Sequence, residues 1–249
     1  MLEIIILSIT QGITEFLPVS SSAHLILVSK FINFNNENLT LDISLHFGSL
    51  LAILFFFKKE ISNFLNNKSF FLKIIIATLP TIIFGYLLIK LNIIDQLRNI
   101  NVIGFTTIFF GILLYISDKS KINKNIINDF KIKDSFYIGF AQIFSLIPGV
   151  SRSGITITCA RFLNFNRVES AKISFLLSIP ILLVVCSYNI IKIVQLNNLQ
   201  VTIQNFLGLI LSFVFSLITL KIFLSFLKKF SLIFFVFYRI FLGLLIFAL

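Results

Sequence analysis

The stretch QGITEFLPVSSSAH, residues 11–24, places a carboxylate, a proline, three serines and a histidine inside an otherwise apolar segment, 4–28. A second apolar segment, 136–163, is interrupted in the same manner by PGVSRSGIT at residues 148–156. Backbone that breaks a helix at membrane depth survives only where protein or a water-filled cavity satisfies its polar groups. Both segments are therefore predicted to be re-entrant, broken helices.

The composition around these two segments is that of a membrane protein. Of 249 residues, 57% are hydrophobic and only 12% are charged, far from the balance of a soluble domain. A membrane helix needs about 20 mostly apolar residues. Six further stretches qualify, at 43–57 (short), 71–91, 100–117, 172–194, 205–225 and 231–249. The sequence predicts an all-α polytopic membrane protein with six transmembrane helices, two re-entrant segments and one integral membrane domain, 1–249.

The positive charge of the chain is concentrated in short connections between apolar spans. The net charge is +11, with lysines clustered at 58–59, 119–133 and 228–229. This pattern is typical of cytoplasmic loops, so we expect membrane lipids rather than nucleic acid as the surrounding partner. The connections 92–99 and 195–204 and the C-terminus then lie outside. The first broken segment enters from the outer face and the second from the inner face.

The two interruptions also resemble each other. PVSSS at 18–22 can be laid on PGVSRS at 148–153 with one inserted residue, Gly149. Together with the opposite orientation of the two segments, this match predicts an inverted repeat with halves of about 1–118 and 135–249. In transporters built this way, the N-termini of broken helices point at anionic groups near the bilayer midplane. A phosphate group would suit such a position, because unpaired N–H groups and the helix dipole favour negative charge.

The first interruption contains the candidate acid and proton carriers. Glu15 lies within an apolar segment, where a charge costs about 2.5 to 3.5 kcal/mol or more, and it therefore needs a partner or a purpose. Gln11, one helical turn earlier, shares its helical face. Capping of a helix end would explain one serine, but not the whole set that follows Pro18, namely Ser20, Ser21, Ser22 and His24.

The second interruption contains a candidate phosphate clamp. Arg152 offers a planar fork of donors suited to phosphate oxygens. Hydroxyl groups accompany it at Ser151, Ser153 and Thr156. Arg161 and Arg167 lie beyond this motif, and we interpret both as interfacial anchors.

Histidine is the side chain best suited to move protons near pH 7. If 20–25 begins a helix, Ser21 and His24 are three residues apart and share a face, so His24 could activate Ser21 or protonate a leaving group. Attack by the serine and direct attack by water both remain open. His46 has no polar neighbours in sequence and is interpreted as a helix-packing residue. Cys159 and Cys186 have no paired spacing and are interpreted as core residues.

Both motifs, Gln11 to His24 and Pro148 to Thr156, closely resemble the signature segments of undecaprenyl-diphosphatases, the bacitracin-resistance family. The resemblance continues through SFLLSIP at 174–180 and from Lys221 to Arg239, and it covers nearly the whole chain. It implies an integral membrane enzyme that removes the terminal phosphate of undecaprenyl diphosphate, a polyprenyl lipid. The monophosphate product carries sugars for peptidoglycan synthesis.

The resemblance also implies roles for individual residues. Glu15 corresponds to the second acid of the family motif, His24 to its histidine, Ser21 to its proposed nucleophile and Arg152 to its diphosphate clamp. A divalent metal, Mg²⁺ or Ca²⁺, is implied, with Glu15 and Gln11 at the position of its ligands. Gln11 departs from the glutamate of many members and is a weaker ligand for a hard cation.

For location, the resemblance implies the bacterial inner membrane, with the site facing the periplasm. A homodimer is compatible with the sequence, which does not set the oligomeric state. The main alternative function is a small transporter or lipid flippase, because inverted repeats with broken helices are typical of transporters. The acid phosphatase class is disfavoured, because no histidine follows Ser151-Arg152 at the required distance.

Overall fold

The computed structural model describes residues 1–31, 39–121, 124–195 and 203–248. Within these ranges the chain is helical, and its only β-type pairing is an isolated bridge between Lys124 and Phe165. The helices are α1 (Leu2–Thr14), α2 (Ser21–Phe31), α3 (Leu39–Phe56), α4 (Lys58–Asn66), α5 (Lys68–Lys90), α6 (Ile93–Leu97), α7 (Ile100–Asp118), α8 (Ile126–Asp129), α9 (Ile132–Ile143), α10 (Arg152–Phe162), α11 (Arg167–Gln195), α12 (Ile203–Leu227) and α13 (Ile233–Ala248).

All six predicted spans coincide with helices, in chain order α3, α5, α7, α11, α12 and α13. Four of them, α5, α7, α11 and α12, are long and apolar enough to cross a membrane, while α1, α3 and α13 are shorter apolar helices. The predicted all-α polytopic membrane fold is confirmed. The boundaries differ most at the starts of two helices, since α3 begins at Leu39 rather than 43 and α11 at Arg167 rather than 172.

The helices break where the two motifs predicted. The first segment consists of α1 and α2, which are separated by 15–20. The second consists of α9, a single 3₁₀ turn at Phe144–Leu146, and α10, with the break at 147–151. In each case a proline, which lacks an N–H and clashes with the preceding helical turn, lies within the break.

Small residues let the membrane helices approach one another closely. Gly48 on α3 leaves no space toward α12, because a Cβ added there would lie 2.4 Å from the carbonyl oxygen of Leu209. Ser49 on α3 meets two serines of α12, with oxygen–oxygen distances of 3.2 Å to Ser212 and 3.1 Å to Ser216. Such small and hydroxylated residues are the usual means of packing helices where lipid removes the hydrophobic driving force between them.

The helix packing has a pattern relevant to the predicted repeat. Helix α1 packs on α12, and α9, its counterpart in the second half, packs on α5; α3 contacts α12, and α11 contacts α5. In the predicted repeat, α1 corresponds to α9, α3 to α11, α5 to α12 and α7 to α13. Exchange of the two halves would therefore convert the α1–α12 contact into α9–α5 and the α3–α12 contact into α11–α5. The α7–α13 contact would be unchanged. The division into halves 1–118 and 135–249 and their opposite orientation stay predictions, which this pattern supports.

One prediction for the basic residues outside the motifs is wrong. Arg161 is not an interfacial anchor, because its side chain is fully buried and donates to the carbonyl oxygens of Phe165, Asp118 and Ser120. Arg167 forms two hydrogen bonds with the Asp118 carboxylate, at 2.7 and 3.0 Å. These contacts join the end of α7 to α10 and α11.

The two cysteines agree with their interpretation as core residues. Cys186 is buried, and Cys159 is partly buried against the main hydrophobic cluster.

Candidate functional site

The two breaks end in the same local geometry. Ser20 and Ser151 both precede a helix and both adopt a positive φ, of 75° and 70°. Residues other than glycine rarely adopt this conformation, so the surrounding structure must hold it in place. Ser20 Oγ lies 3.3 Å from Ser22 Oγ, and Ser151 Oγ lies 3.2 Å from Ser153 Oγ.

The same two serines serve as N-caps of the helices that follow. Ser20 Oγ accepts from the N–H of Ala23 at 3.5 Å, and Ser151 Oγ accepts from the N–H of Gly154 at 3.1 Å. The first residues of the two helices are therefore equivalent: Ser21 begins α2 and Arg152 begins α10. Helix N-termini carry unpaired N–H groups and partial positive charge, which favours an anion nearby.

Arg239 of α13 joins the two breaks. Its side chain is fully buried and donates to the carbonyl oxygens of Gly149 and Val150 at 3.0 Å and of Pro18 at 3.4 Å. Its Nε also donates to the Thr107 carbonyl at 3.1 Å. The Pro18, Gly149 and Val150 carbonyls lie in the breaks, where the backbone has no regular helical partners. Arg239 is not among the site residues predicted from the sequence.

Glu15 lies where the breaks meet and receives donors from both. Arg152 Nη2 donates to Glu15 Oε1 at 2.7 Å, and the side chains are only 12% and 7% exposed, respectively. Ser21 Oγ donates to Glu15 Oε2 at 3.1 Å, and Gln11 Nε2 donates to the same oxygen at 3.0 Å. The prediction that a buried charge in this segment needs a partner is thus met by Arg152. One carboxylate connects both helix N-termini.

His46 differs from its interpretation as a packing residue. Its Nδ1 lies 2.9 Å from Gln11 Nε2, so the Gln11 amide lies between His46 and Glu15. The other end of that amide, Oε1, is buried and has no hydrogen-bond partner within the described part of the chain. This polar neighbour of His46 is 35 residues away in sequence, which explains why local sequence gave no signal.

His24 does not contact Ser21 in the way the shared helical face suggested. Its Nδ1 lies 2.6 Å from the Ser20 carbonyl oxygen, and its Nε2 lies 2.5 Å from the Tyr238 hydroxyl. Ser21 instead donates to Glu15. The arrangement makes Glu15, rather than His24, the nearest base to the Ser21 hydroxyl.

The hydroxyl groups predicted to bind substrate are mostly engaged within the protein. Ser153 donates to the Leu17 carbonyl at 2.7 Å, which joins the two breaks a second time. Thr156 donates to Ser174 Oγ at 2.7 Å. Ser20 and Ser151 act as caps, whereas Ser22 is exposed. Substrate contacts by this group stay a prediction, and Ser22 is its most accessible member.

Metal ligands are sparse at this site. No group of three or more His, Cys, Asp or Glu side chains that could hold an ion occurs among the residues that the structure describes. The oxygen donors of the site are the Glu15 carboxylate and the unpartnered Oε1 of Gln11. A hard cation prefers such oxygens, but these two would need further oxygens from a bound phosphate group.

Comparisons with known proteins find matches over nearly the whole chain. Residues 4–245 match the family model described as bacitracin resistance protein BacA. The undecaprenyl-diphosphatase of Pelagibacter ubique is 48% identical, covering 99% of this chain and 96% of that protein. Those of Campylobacter curvus and Saccharophagus degradans are 42% and 38% identical, covering 97% and 100% of this chain and 96% and 97% of the relatives. The chain therefore belongs to the bacitracin resistance protein BacA family.

Proposed function

We propose that this protein hydrolyses undecaprenyl diphosphate to undecaprenyl phosphate and inorganic phosphate. This reaction recycles the lipid carrier for peptidoglycan synthesis and confers bacitracin resistance. The observation that carries the proposal is the Glu15–Arg152 pair at the meeting point of two helix N-termini. The names of relatives that cover nearly the whole chain support the same substrate and reaction.

The chemistry of phosphoanhydride cleavage matches this arrangement. Phosphoryl transfer needs positioning and neutralisation of charge on the transferred group, and little covalent chemistry from the protein. Arg152 and the first N–H groups of α2 and α10 supply that neutralisation. A diphosphate would draw the Arg152 guanidinium away from Glu15 and so free the carboxylate to accept a proton.

Ser21 is the proposed nucleophile, with Glu15 as its base. The Ser21 hydroxyl already donates to Glu15 Oε2, which would take its proton as the Oγ–P bond forms. The P–O bond to the bridging oxygen breaks, and undecaprenyl phosphate leaves. Water then attacks the phosphoserine and releases inorganic phosphate. Direct attack by a water held on Glu15 is the competing route.

A divalent cation, Mg²⁺ or Ca²⁺, is part of the proposal. Glu15 and Gln11 would hold it, because Gln11 Oε1 is a buried oxygen that lacks a partner within the described residues. When bound, the cation would neutralise charge on the phosphate oxygens. Joint ligation would require the Gln11 amide to turn so that Oε1 rather than Nε2 faces Glu15, and the carboxylate to give up part of its contact with Arg152.

Replacement of Arg152 should abolish most of the activity. We expect Arg152→Lys and Glu15→Gln each to lower the rate of phosphate release from a polyprenyl diphosphate in detergent by about 100-fold or more. The first loses the planar fork of donors and the second loses the charge of the carboxylate, both in a buried site. Arg98→Ala, at an exposed arginine, is the matched control and should retain the rate. Full activity of both site variants would contradict the proposed site. No release by the wild type would instead favour a transporter or lipid flippase.

The nucleophile can be identified by trapping. With substrate labelled in its terminal phosphate, acid quenching should recover labelled wild-type enzyme but no labelled Ser21→Ala enzyme. Ser22→Ala, at the exposed neighbouring hydroxyl, should still be labelled. Unlabelled wild-type enzyme together with substantial activity of Ser21→Ala would establish direct attack by water.

The cation requirement should depend on residue 11. After removal of metal with EDTA, we expect activity to be lost and to return on addition of Mg²⁺ or Ca²⁺. Gln11→Glu should lower the cation concentration that gives half-maximal activity, because a carboxylate binds a hard cation more tightly than an amide. Gln11→Ala should raise it. Undiminished activity in EDTA would rule out the cation.

The site is proposed to open on the periplasmic side of the bacterial inner membrane. Ser22 is exposed, whereas Ala23 is fully buried, so a cysteine at position 22 is the suitable probe. With Cys159 and Cys186 replaced by alanine, Ser22→Cys should react with a membrane-impermeant thiol reagent on intact spheroplasts. Lys121→Cys, in the basic connection, should react only after the membrane is disrupted. The reverse pattern would place the site on the cytoplasmic side.

A further inference from the structure

Tyr238 is a residue of α13 that reaches the first motif from 214 positions away. Its hydroxyl oxygen lies 2.5 Å from His24 Nε2. The two rings are nearly parallel, with 6° between their planes and 5.6 Å between their centroids. Tyr238 directly precedes Arg239 in α13. The buried Arg239 guanidinium fixes this part of α13 against both breaks.

The hydrogen bonds determine which nitrogen of neutral His24 carries the proton. The Ser20 carbonyl, 2.6 Å from Nδ1, can only accept, so Nδ1 must donate. Nε2 then has a lone pair, and the Tyr238 hydroxyl donates to it. Tyr238 and Ser20 together select one tautomer and one ring orientation of His24.

We propose that Tyr238 is a positioning residue for this reaction, which holds His24 as the tautomer protonated on Nδ1, with Nε2 directed away from Ser20. The proposal rests on the proposed diphosphatase function. Within the described residues, the His24 ring has hydrogen bonds to the Ser20 carbonyl and to Tyr238. Without the Tyr238 hydroxyl, the bond to Ser20 alone would restrain the ring. Because Glu15 is the base for Ser21 in the proposed mechanism, the role left for His24 is to move the proton of the leaving group. A histidine whose orientation is lost moves protons less efficiently, because proton transfer requires hydrogen-bond geometry.

The hydroxyl and the ring of Tyr238 make separable contributions. Tyr238→Phe keeps the stacked ring and removes only the donor to Nε2, so it should fold normally. Tyr238→Leu also removes the ring. Tyr86→Phe is the matched control, because Tyr86 is an exposed tyrosine on α5, a membrane helix outside the site.

The tautomer of His24 can be measured independently of enzymatic activity. The chain contains two histidines, so ¹⁵N-histidine labelling gives the Nδ1 and Nε2 signals of two imidazole rings, and a His46→Gln variant assigns them. We expect His24 of the wild type and of Tyr86→Phe to be protonated on Nδ1, and Tyr238→Phe to show a mixture of tautomers. An unchanged His24 signal in Tyr238→Phe would overturn the inference whether or not the protein is a diphosphatase.

Kinetics then test whether this positioning matters for the reaction. We expect Tyr238→Phe to lower kcat by roughly ten- to a hundredfold, the range found when a partner that fixes a histidine tautomer is removed from a metal site, with KM changed less than about twofold. Tyr86→Phe should match the wild type. A changed tautomer with unchanged kcat would overturn the positioning role. An inactive wild type would overturn the proposed function, while the ¹⁵N signals would still show whether Tyr238 holds His24.

Discussion

Backbone that stops being helical inside a membrane must have its carbonyl groups satisfied by the protein itself, and Arg239 meets that requirement for both breaks at once. Its guanidinium donates to carbonyls on each side, Pro18 in one and Gly149 and Val150 in the other. A buried cation is costly unless it is fully hydrogen-bonded, and here four carbonyl oxygens surround it. The two helix N-termini are therefore fixed relative to each other by a residue that belongs to neither motif.

The two motifs have one backbone design and different chemistry. Both use a strained serine, Ser20 or Ser151, as the cap of the following helix. At the next position the design diverges, since Ser21 supplies a hydroxyl and Arg152 a guanidinium. Glu15 contacts both. The similar backbones bring the two positions to the same carboxylate. Because their side chains differ, that carboxylate contacts one hydroxyl and one cation.

The sequence predicted the helices, the breaks and the local contents of the site, because those depend on hydropathy, prolines and hydroxyl groups that are adjacent in the chain. It identified Glu15 from the cost of a charge in an apolar segment and Arg152 from its fork of donors among hydroxyl groups, although not their contact with each other. It did not predict the partners that come from distant helices. His46 carries no local polar signal. Arg239 lies in the middle of an apolar helix, so the cost of a charge there, which identified Glu15, could also have identified Arg239 and its neighbour Tyr238. Ser21 and His24 share a helical face, yet each has a different partner. Ser21 contacts Glu15 in the preceding break, whereas His24 contacts Tyr238 on the distant helix α13.

The Glu15–Arg152 ion pair also bears on product inhibition. With the pair closed, the site carries little net charge, so the resting protein does not pay for an isolated buried ion. A ligand must compete with an internal carboxylate for the guanidinium, and a diphosphate, with more charge, competes better than the lipid monophosphate that remains after cleavage. Re-formation of the pair would then help to expel the monophosphate. Such an internal competitor would raise turnover by shortening the time that product occupies the site.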